Sequence, residues 1–311
     1  MPQTLDNRLV IAISSRALFD LEEENLLFEQ QGEATYMKYQ QDHENDILKP
    51  GSGFDLIKSF LSLNKLLPEN RQTEVIIVSR NNADTGLRIF RSVEHYGLAI
   101  TRAAFTSGAP VTDYLEAFRA DLFLSAGEDD VRSALRHKIA AGLIYPSPIS
   151  EPLPIDDLTR IRIAFDGDAV LFSEEAELIY KTAGLEAFIQ HESDNSKKPL
   201  PAGPFARLLL TLSYLQNEIK DGHVVIRTAL ITARSSPSHE RVIRTLREWN
   251  VKIDEIFFMG GLTKEHILKA FRPHIFFDDQ DVHCIPASGV VHTAKVPNDA
   301  VEKKNNSLQS P

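Results

Sequence analysis

The chain has 311 residues, of which 42% are hydrophobic and 25% are charged, an ordinary composition for a globular protein of one or two domains. The formal net charge of −10 disfavours a nucleic-acid partner, because such proteins usually present a clustered basic face. No apolar run approaches the roughly 20 residues of a membrane span, and the start, MPQTLDNR, lacks the apolar core of a signal peptide. Cys284 is the only cysteine, which excludes an internal disulfide and favours a reducing, cytoplasmic location.

Short apolar runs alternate with helical patterns along the chain. Strands are predicted over residues 9–13, 74–79, 121–125, 162–165, 228–232 and 274–278, and helices over 113–119, 237–249 and 264–271. Strands that are apolar throughout and separated by helices are typical of a parallel sheet covered on both faces. The sequence therefore predicts an α/β fold with doubly wound, Rossmann-like parallel sheets. Four prolines mark a linker near 145–160.

Similar segments occur in the same order in the two halves of the chain. HEND at 43–46 corresponds to HESD at 191–194, and each is followed by Lys-Pro and a helical pattern. The spacing is nearly constant, since Ile11 and Ile163 are 152 residues apart and other matched pairs are 153 apart. Chance similarity would explain shared hydrophobicity but not these shared strings, so two related halves are predicted. The predicted domains are residues 8–150, residues 160–297 and a disordered tail at 298–311.

Polar residues follow the predicted strands of the second half. They are Asp166, Asp168, Thr232, Arg234, Asp278 and Asp279, with Lys264 at the start of a predicted helix. Because the carboxyl ends of parallel strands share one edge of a sheet, we expect these side chains to converge. Each alone is more typical of a cap or turn, but crowded carboxylates repel one another unless a cation lies among them. Hard oxygen ligands without His or Cys at useful spacing favour Mg²⁺.

Several longer strings resemble the type I cytosolic 5′-nucleotidases. These strings are FDGDAVLFSEE, ITARS and HIFFDDQ in the second half and SSRALF and HEN in the first. The order D-x-D, Thr after a strand, Lys, then D-D after a strand is similar to the motif series of haloacid dehalogenase-like phosphohydrolases. The resemblance covers roughly residues 8–297. It implies two haloacid dehalogenase-like domains and a Mg²⁺-dependent 5′-nucleotidase for nucleoside monophosphates, with AMP favoured.

The resemblance also implies roles for the catalytic residues. Asp166 would attack phosphorus and form an aspartyl-phosphate, which water then hydrolyses. Asp168 would protonate the departing 5′ oxygen and later activate water. Thr232 and Lys264 would bind phosphoryl oxygens. Gly167 is expected to permit an unusual backbone turn between the two aspartates.

The resemblance implies a Mg²⁺ site with three oxygen ligands and a fourth acidic residue beside them. Asp166, the backbone carbonyl of Asp168 and Asp278 would hold the ion, with Asp279 as a further ligand or as a partner of a ligand. Lys269 and Arg234 are alternatives to Lys264 for the phosphate contact, Arg234 being a candidate substrate-binding residue. The recurrent His-Glu pairs predict a shared structural role rather than a metal site, because the half without the acids has them too.

The first half lacks these acids. At the corresponding positions it has Ser14, Arg16, Ser79, Val111 and Ser125. Without carboxylates it cannot bind a hard cation or form an acyl-phosphate, so we interpret it as a pseudo-catalytic domain that covers the active one, contributes nucleotide contacts or binds a nucleotide effector. Candidate contacts are Arg16, Arg80, Asn81 and Asn82. The same side chains would serve equally well as solvated or capping residues.

Two other functions are compatible with the same residues. One is a phosphatase or phosphotransferase acting on another phosphomonoester, and the other is a non-catalytic Mg²⁺-nucleotide sensor. The sequence does not determine base preference, effectors or oligomeric state, and a homo-oligomer is compatible with the acidic, duplicated architecture.

Overall fold

The computed structural model describes Leu5 and residues 8–69, 72–146, 160–219 and 225–298. Contacts within the chain define two compact units, the first containing the described residues up to Ile144 and the second those from Tyr145 onward. The linker predicted at 145–160 and the tail predicted at 298–311 lie outside the described residues, except at their ends.

The first unit contains a five-stranded sheet whose strand pairs are all parallel. Its strands are β1 (Val10–Ile13), β2 (Glu74–Ser79), β3 (Arg102–Phe105), β4 (Leu122–Ser125) and β5 (Ala140–Ile144). They lie in the order β3-β2-β1-β4-β5. Its helices are α1 (Ser15–Leu18), α2 (Glu22–Gln31), α3 (Glu33–Asp42), α4 (Phe54–Leu63), α5 (Ala83–His95), α6 (Thr112–Ala117) and α7 (Glu128–Arg136).

The second unit also contains five strands in parallel pairs. They are β6 (Ile161–Phe165), β7 (Ile226–Thr232), β8 (Glu255–Phe258), β9 (Ile275–Asp278) and β10 (Thr293–Lys295), in the order β10-β9-β6-β7-β8. A π-helical turn (Gly167–Leu171) follows β6. The α-helices are α8 (Glu175–Asp194), α9 (Ala206–Glu218), α10 (His239–Glu248), α11 (Glu265–Phe271) and α12 (Asp281–Ser288).

The central strands of each unit are buried on both faces, as their apolar sequences require. Every residue of β1 and of β6 is buried, which is typical of a parallel sheet covered by helices. In the second unit the rings of Phe205 and Phe277 lie 4.7 Å apart between centroids, and those of Phe165 and Phe277 lie 5.7 Å apart. Full burial of each ring contributes about 1.5–3 kcal/mol. This packing fixes the carboxyl end of β6.

The predicted α/β fold with parallel sheets is confirmed. Each of the six predicted strands is present within two residues of its predicted bounds. The strands that were not predicted are β3, β5, β8 and β10. β3 and β8 are only half-buried edge strands and β10 has three residues, so their pairing depends on a neighbouring strand rather than on a long apolar run. Among the described helices, none has both the length and the apolar character needed to cross a membrane.

Candidate active site

The carboxyl ends of three adjacent strands, β9, β6 and β7, carry the predicted polar residues. Asp166 directly follows β6, and Thr232 and Asp278 are the last residues of β7 and β9. The backbone N–H of Asp166 donates to the carbonyl of Phe277 at 2.8 Å, which extends the strand ladder by one residue. The sheet itself therefore brings together side chains that are far apart in the chain.

Three of the predicted aspartates form one buried cluster. Asp166, Asp278 and Asp279 each place a carboxylate oxygen within 4.8 Å of the others, and none is more than 5% exposed. Both carboxylate oxygens of Asp279 are buried without a hydrogen-bond partner among the described residues. An unpaired buried carboxylate is costly, and an all-oxygen donor set is the kind that Mg²⁺ prefers. These residues therefore fit a divalent cation.

The acidity of the cluster is perturbed in the direction that crowding predicts. Burial raises the pKa of Asp166 to about 6, against the opposing charge of Lys264 and with support from the negative charge of Asp278. Burial also raises the pKa of Asp278. The pKa of Asp279 lies well above its ordinary value because of burial and the neighbouring carboxylates. Burial and crowding therefore favour the protonated forms of these groups, and a bound cation would favour their carboxylate forms.

Lys264 lies among the aspartates, immediately before α11. Its Nζ is 2.7 Å from Oδ1 of Asp166 and 2.6 Å from Oδ2 of Asp278. Burial alone would lower the pKa of Lys264, but the two carboxylates outweigh burial and raise it, so the ammonium stays charged. Lys269, on the same helix, is exposed. Of the two lysines considered from the sequence, the structure places Lys264 in the cluster.

Arg234 holds the second aspartate of the D-x-D motif. Its Nε donates to Oδ2 of Asp168 at 2.8 Å and its Nη2 donates to Oδ1 at 2.7 Å. The remaining nitrogen, Nη1, donates to Glu192, which also accepts from Nη1 of Arg241 at 2.7 Å. All three nitrogens of the Arg234 guanidinium are thus occupied by carboxylates. The structure makes Arg234 a partner of Asp168, where the sequence suggested a substrate contact.

The turn between the two aspartates differs from the expectation for Gly167. The left-handed backbone lies just after the second aspartate, at Ala169, with φ of 62°, and Gly167 is needed for a different reason. A Cβ at Gly167 would lie 3.1 Å from Oγ1 of Thr232, so the absence of a side chain lets β6 and β7 hold the motif against the threonine. The Thr232 hydroxyl also accepts the backbone N–H of Arg234 at 3.2 Å.

Sequence reasoning gave no place in the site to three residues that the structure brings to this region. They are Glu177, whose charge acts on Asp279, and Glu192 and Arg241, which support Arg234. The repeated His-Glu motif was a signal for Glu192, but the motif does not show which partner its carboxylate meets. Glu177 belongs to no motif. It reaches this region because α8 turns the face that carries Glu177 toward Asp279.

The residues proposed from the first half lie together in the first unit. Arg16, Asn81 and Asn82 line a cavity of about 400 Å³. The cavity is also lined by Ser14, Ser79 and Ser125, at the carboxyl ends of the strands. The Asn82 side chain caps α5 by accepting the N–H of Thr85 at 3.1 Å, and Arg16 is ion-paired with Glu22 at 3.1 Å. The sequence allowed these side chains to serve either as nucleotide contacts or as solvated or capping residues, and a capping role is observed at Asn82.

A parallel α/β unit that gathers buried aspartates and a lysine at its strand ends has the features of a phosphoric monoester hydrolase. The chain belongs to the 5′-nucleotidase family, because the sequence profile of that family matches residues 1–303. It is also 38% identical over 292 residues to cytosolic 5′-nucleotidase 1B of Homo sapiens. That alignment covers 91% of this chain and 47% of the relative, so the chain spans about half of the relative's length. No solved structure matches the chain. The family resemblance predicted from the motifs is confirmed.

Proposed function

We propose that the second unit is a Mg²⁺-dependent 5′-nucleotidase that hydrolyses nucleoside 5′-monophosphates, AMP foremost, to nucleoside and phosphate. The observation that carries the proposal is the buried cluster of Asp166, Asp278 and Asp279 around Lys264. Membership of the 5′-nucleotidase family supports the substrate class. The name of the human relative supports a cytoplasmic location.

In the first step a carboxylate oxygen of Asp166 attacks phosphorus. A bond forms between that oxygen and phosphorus while the bond from phosphorus to the 5′ oxygen breaks, and a proton from Asp168 goes to the departing oxygen. Lys264 and the Thr232 hydroxyl bind phosphoryl oxygens and stabilise the charge that develops on them. The nucleoside leaves and phosphate remains as an acyl-phosphate on Asp166.

In the second step water releases the phosphate. Asp168, now a carboxylate, takes a proton from the water. The water oxygen bonds to phosphorus, and the bond between phosphorus and Asp166 breaks. The D-x-D spacing suits this exchange, because one aspartate carries the phosphoryl group while the other transfers protons. Arg234 fixes the plane of the Asp168 carboxylate through its two hydrogen bonds.

The carboxylates of Asp166, Asp278 and Asp279 would hold Mg²⁺ together with the backbone carbonyl of Asp168. When bound, the ion supplies the positive charge that lets an anionic nucleophile approach a phosphate dianion. The buried oxygens of Asp279 support this assignment, since no N–H group among the described residues donates to them.

Phosphate release from a panel of nucleoside and other monophosphates tests the proposal, with and without Mg²⁺. We expect turnover of AMP that requires Mg²⁺ and falls by about 10⁴-fold or more in Asp166→Asn. Turnover confined to phosphomonoesters other than nucleotides would instead indicate a different phosphatase or a phosphotransferase. Binding of Mg²⁺ and AMP without any turnover would indicate a sensor.

We also propose that the first unit is a pseudo-catalytic domain that arose by duplication. Supporting this, β3-β2-β1-β4-β5 and β8-β7-β6-β9-β10 place successive strands of each unit in the same relative order. Ser14, Ser79 and Ser125 occupy the strand-end positions that carry Asp166, Thr232 and Asp278 in the second unit. The cavity at these serines, about 400 Å³, is within the usual size range of small-molecule sites.

This cavity is the proposed place for a nucleotide contact or a nucleotide effector, with Arg16 and Asn81 as polar contacts. Comparison of AMP affinity and activation between wild type and Arg16→Ala tests the assignment. We expect weaker affinity or weaker activation in the variant. Unchanged values for both would show that Arg16 serves only its ion pair with Glu22.

A further inference from the structure

Glu177 lies in the first turn of α8 and is buried against the acidic cluster. Its side chain is 7% exposed, and both of its carboxylate oxygens are buried. Its ion pair is with Lys181 one turn later, at 2.6 Å between Nζ and Oε1. Glu177 and Asp279 are close enough for the charge of Glu177 to raise the pKa of Asp279. Two buried carboxyl groups, those of Glu177 and Asp279, therefore lie within hydrogen-bonding contact of each other.

The charges around this pair do not balance. The four carboxylates are those of Asp166, Asp278, Asp279 and Glu177. The neighbouring ammonium groups are Lys264, bound to Asp166 and Asp278, and Lys181, bound to Glu177. With all four carboxyl groups ionised, two negative charges are in excess in a region from which water is largely excluded. A single divalent cation would neutralise this excess, and buried charges persist in proteins when they are paired in this way.

A structural role alone does not account for the position of Glu177. An acidic residue in the first turn of a helix and a Glu-Lys pair four residues apart are both mildly stabilising at a surface. Glu175, in the same turn, is 48% exposed and meets the first of these conditions. Glu177 instead points inward to another carboxylate, and burial raises its pKa. Such an arrangement destabilises the metal-free protein.

We propose that Glu177 is part of the metal site, where its carboxylate acts with that of Asp279 to raise the affinity for Mg²⁺. This inference rests on the proposed Mg²⁺ site and adds to it a residue that neither the D-x-D nor the D-D motif contains. Glu177 is a positioning residue for the ion rather than a catalytic group. Acidic residues that support metal ligands commonly contribute about 10-fold to 100-fold in affinity.

Calorimetric titration of the metal-free full chain with MgCl₂ tests this directly, together with the thermal midpoint before and after Mg²⁺ addition. In Glu177→Gln we expect the dissociation constant for Mg²⁺ to rise about 10-fold. We also expect the metal-free variant to unfold at a higher temperature than metal-free wild type. Addition of Mg²⁺ should raise its thermal midpoint by less than that of wild type. Glu175→Gln is the matched control and should bind Mg²⁺ as wild type does.

Unchanged Mg²⁺ affinity in Glu177→Gln, or a lower midpoint of the metal-free variant with an intact Mg²⁺ response, would overturn the inference. Absence of Mg²⁺ binding by wild type would instead contradict the proposed function. If Glu177→Gln fails to fold, the Lys181→Met variant tests the same role, because it keeps Glu177 and removes the ion pair of Glu177. We expect tighter Mg²⁺ binding and lower metal-free stability in Lys181→Met, and unchanged affinity there would also refute the role of Glu177.

Discussion

Arg234 donates two parallel hydrogen bonds to the carboxylate of Asp168, of 2.8 Å from Nε and 2.7 Å from Nη2. The guanidinium is itself held by Glu192, and both of these side chains are almost fully buried. Because the guanidinium and the carboxylate are both planar, this two-point contact fixes the orientation of the Asp168 carboxylate as well as its position. The proposed acid of the reaction is therefore oriented by an arginine whose three nitrogens are all occupied by carboxylates.

Replacement of Arg234 by lysine should impair turnover more than binding. Lysine keeps the positive charge but cannot form the bidentate contact, so Asp168 loses its fixed orientation. We expect kcat to fall roughly 100-fold, within the usual contribution of general acid catalysis, with little change in KM for AMP. The loss of kcat/KM, which reports the step that expels the leaving group, should be smaller for 4-nitrophenyl phosphate, whose leaving group needs no proton. Steady-state kinetics on both substrates measures this.

The matched control for that variant is Arg247→Lys, at an exposed position on α10. It should have wild-type kinetics. Equal losses of kcat/KM for AMP and for 4-nitrophenyl phosphate in Arg234→Lys would show that Arg234 maintains the fold rather than proton transfer to the leaving group.

Removal of the Lys264 charge should destabilise the metal-free protein. Asp166 and Asp278 would then be buried without their positive partner, and breaking a buried ion pair from one side costs about 3–5 kcal/mol. We expect this loss in the free energy of unfolding of Lys264→Met, measured with urea, and a partial recovery on addition of Mg²⁺. Lys269→Met, exposed on the same helix, should change stability by less than about 0.5 kcal/mol. A similar loss in both variants would contradict the assignment.

The raised pKa of Asp166 predicts a specific pH dependence of stability. Its pKa rises from 3.8 to about 6 on folding, so between these values the folded state binds more protons than the unfolded state. The contribution of Asp166 is therefore fully present below pH 3.8 and is lost as pH rises through about 6. Urea unfolding at pH 5 and pH 7 without metal should show wild type losing stability relative to Asp166→Asn as pH increases. A constant difference would disprove the shift.

Cys284 should be unreactive in the native protein. Its thiol is buried, its Sγ donates to the carbonyl of Asp278 at 3.4 Å, and burial raises its pKa. Because the thiolate is the reactive form, a disulfide reagent such as 5,5′-dithiobis(2-nitrobenzoate) should label the thiol in urea but only very slowly in buffer. Rapid labelling of native protein would show that α12 opens readily.

Local sequence was sufficient for the elements on which the site depends. The apolar runs before Asp166, Thr232 and Asp278 predicted strands, and a parallel sheet brings the ends of its strands to one edge. This reasoning placed the aspartates together because the periodicity of a strand is encoded in neighbouring residues. It also led to Lys264 rather than Lys269, through the start of a helix.

The tertiary structure alone decided which partner each of these groups has. Arg234 lies 66 residues from Asp168 and 42 from Glu192, and Glu177 meets Asp279 only because α8 turns that face inward. Such contacts depend on how helices pack on the sheet, and their energies depend on burial, which strengthens charge interactions and penalises unpaired groups. Neither packing nor burial of a charged residue is encoded in local periodicity. The sequence thus determined the strands and the chemical groups at their ends, while the folded chain determined the electrostatic environment in which those groups act.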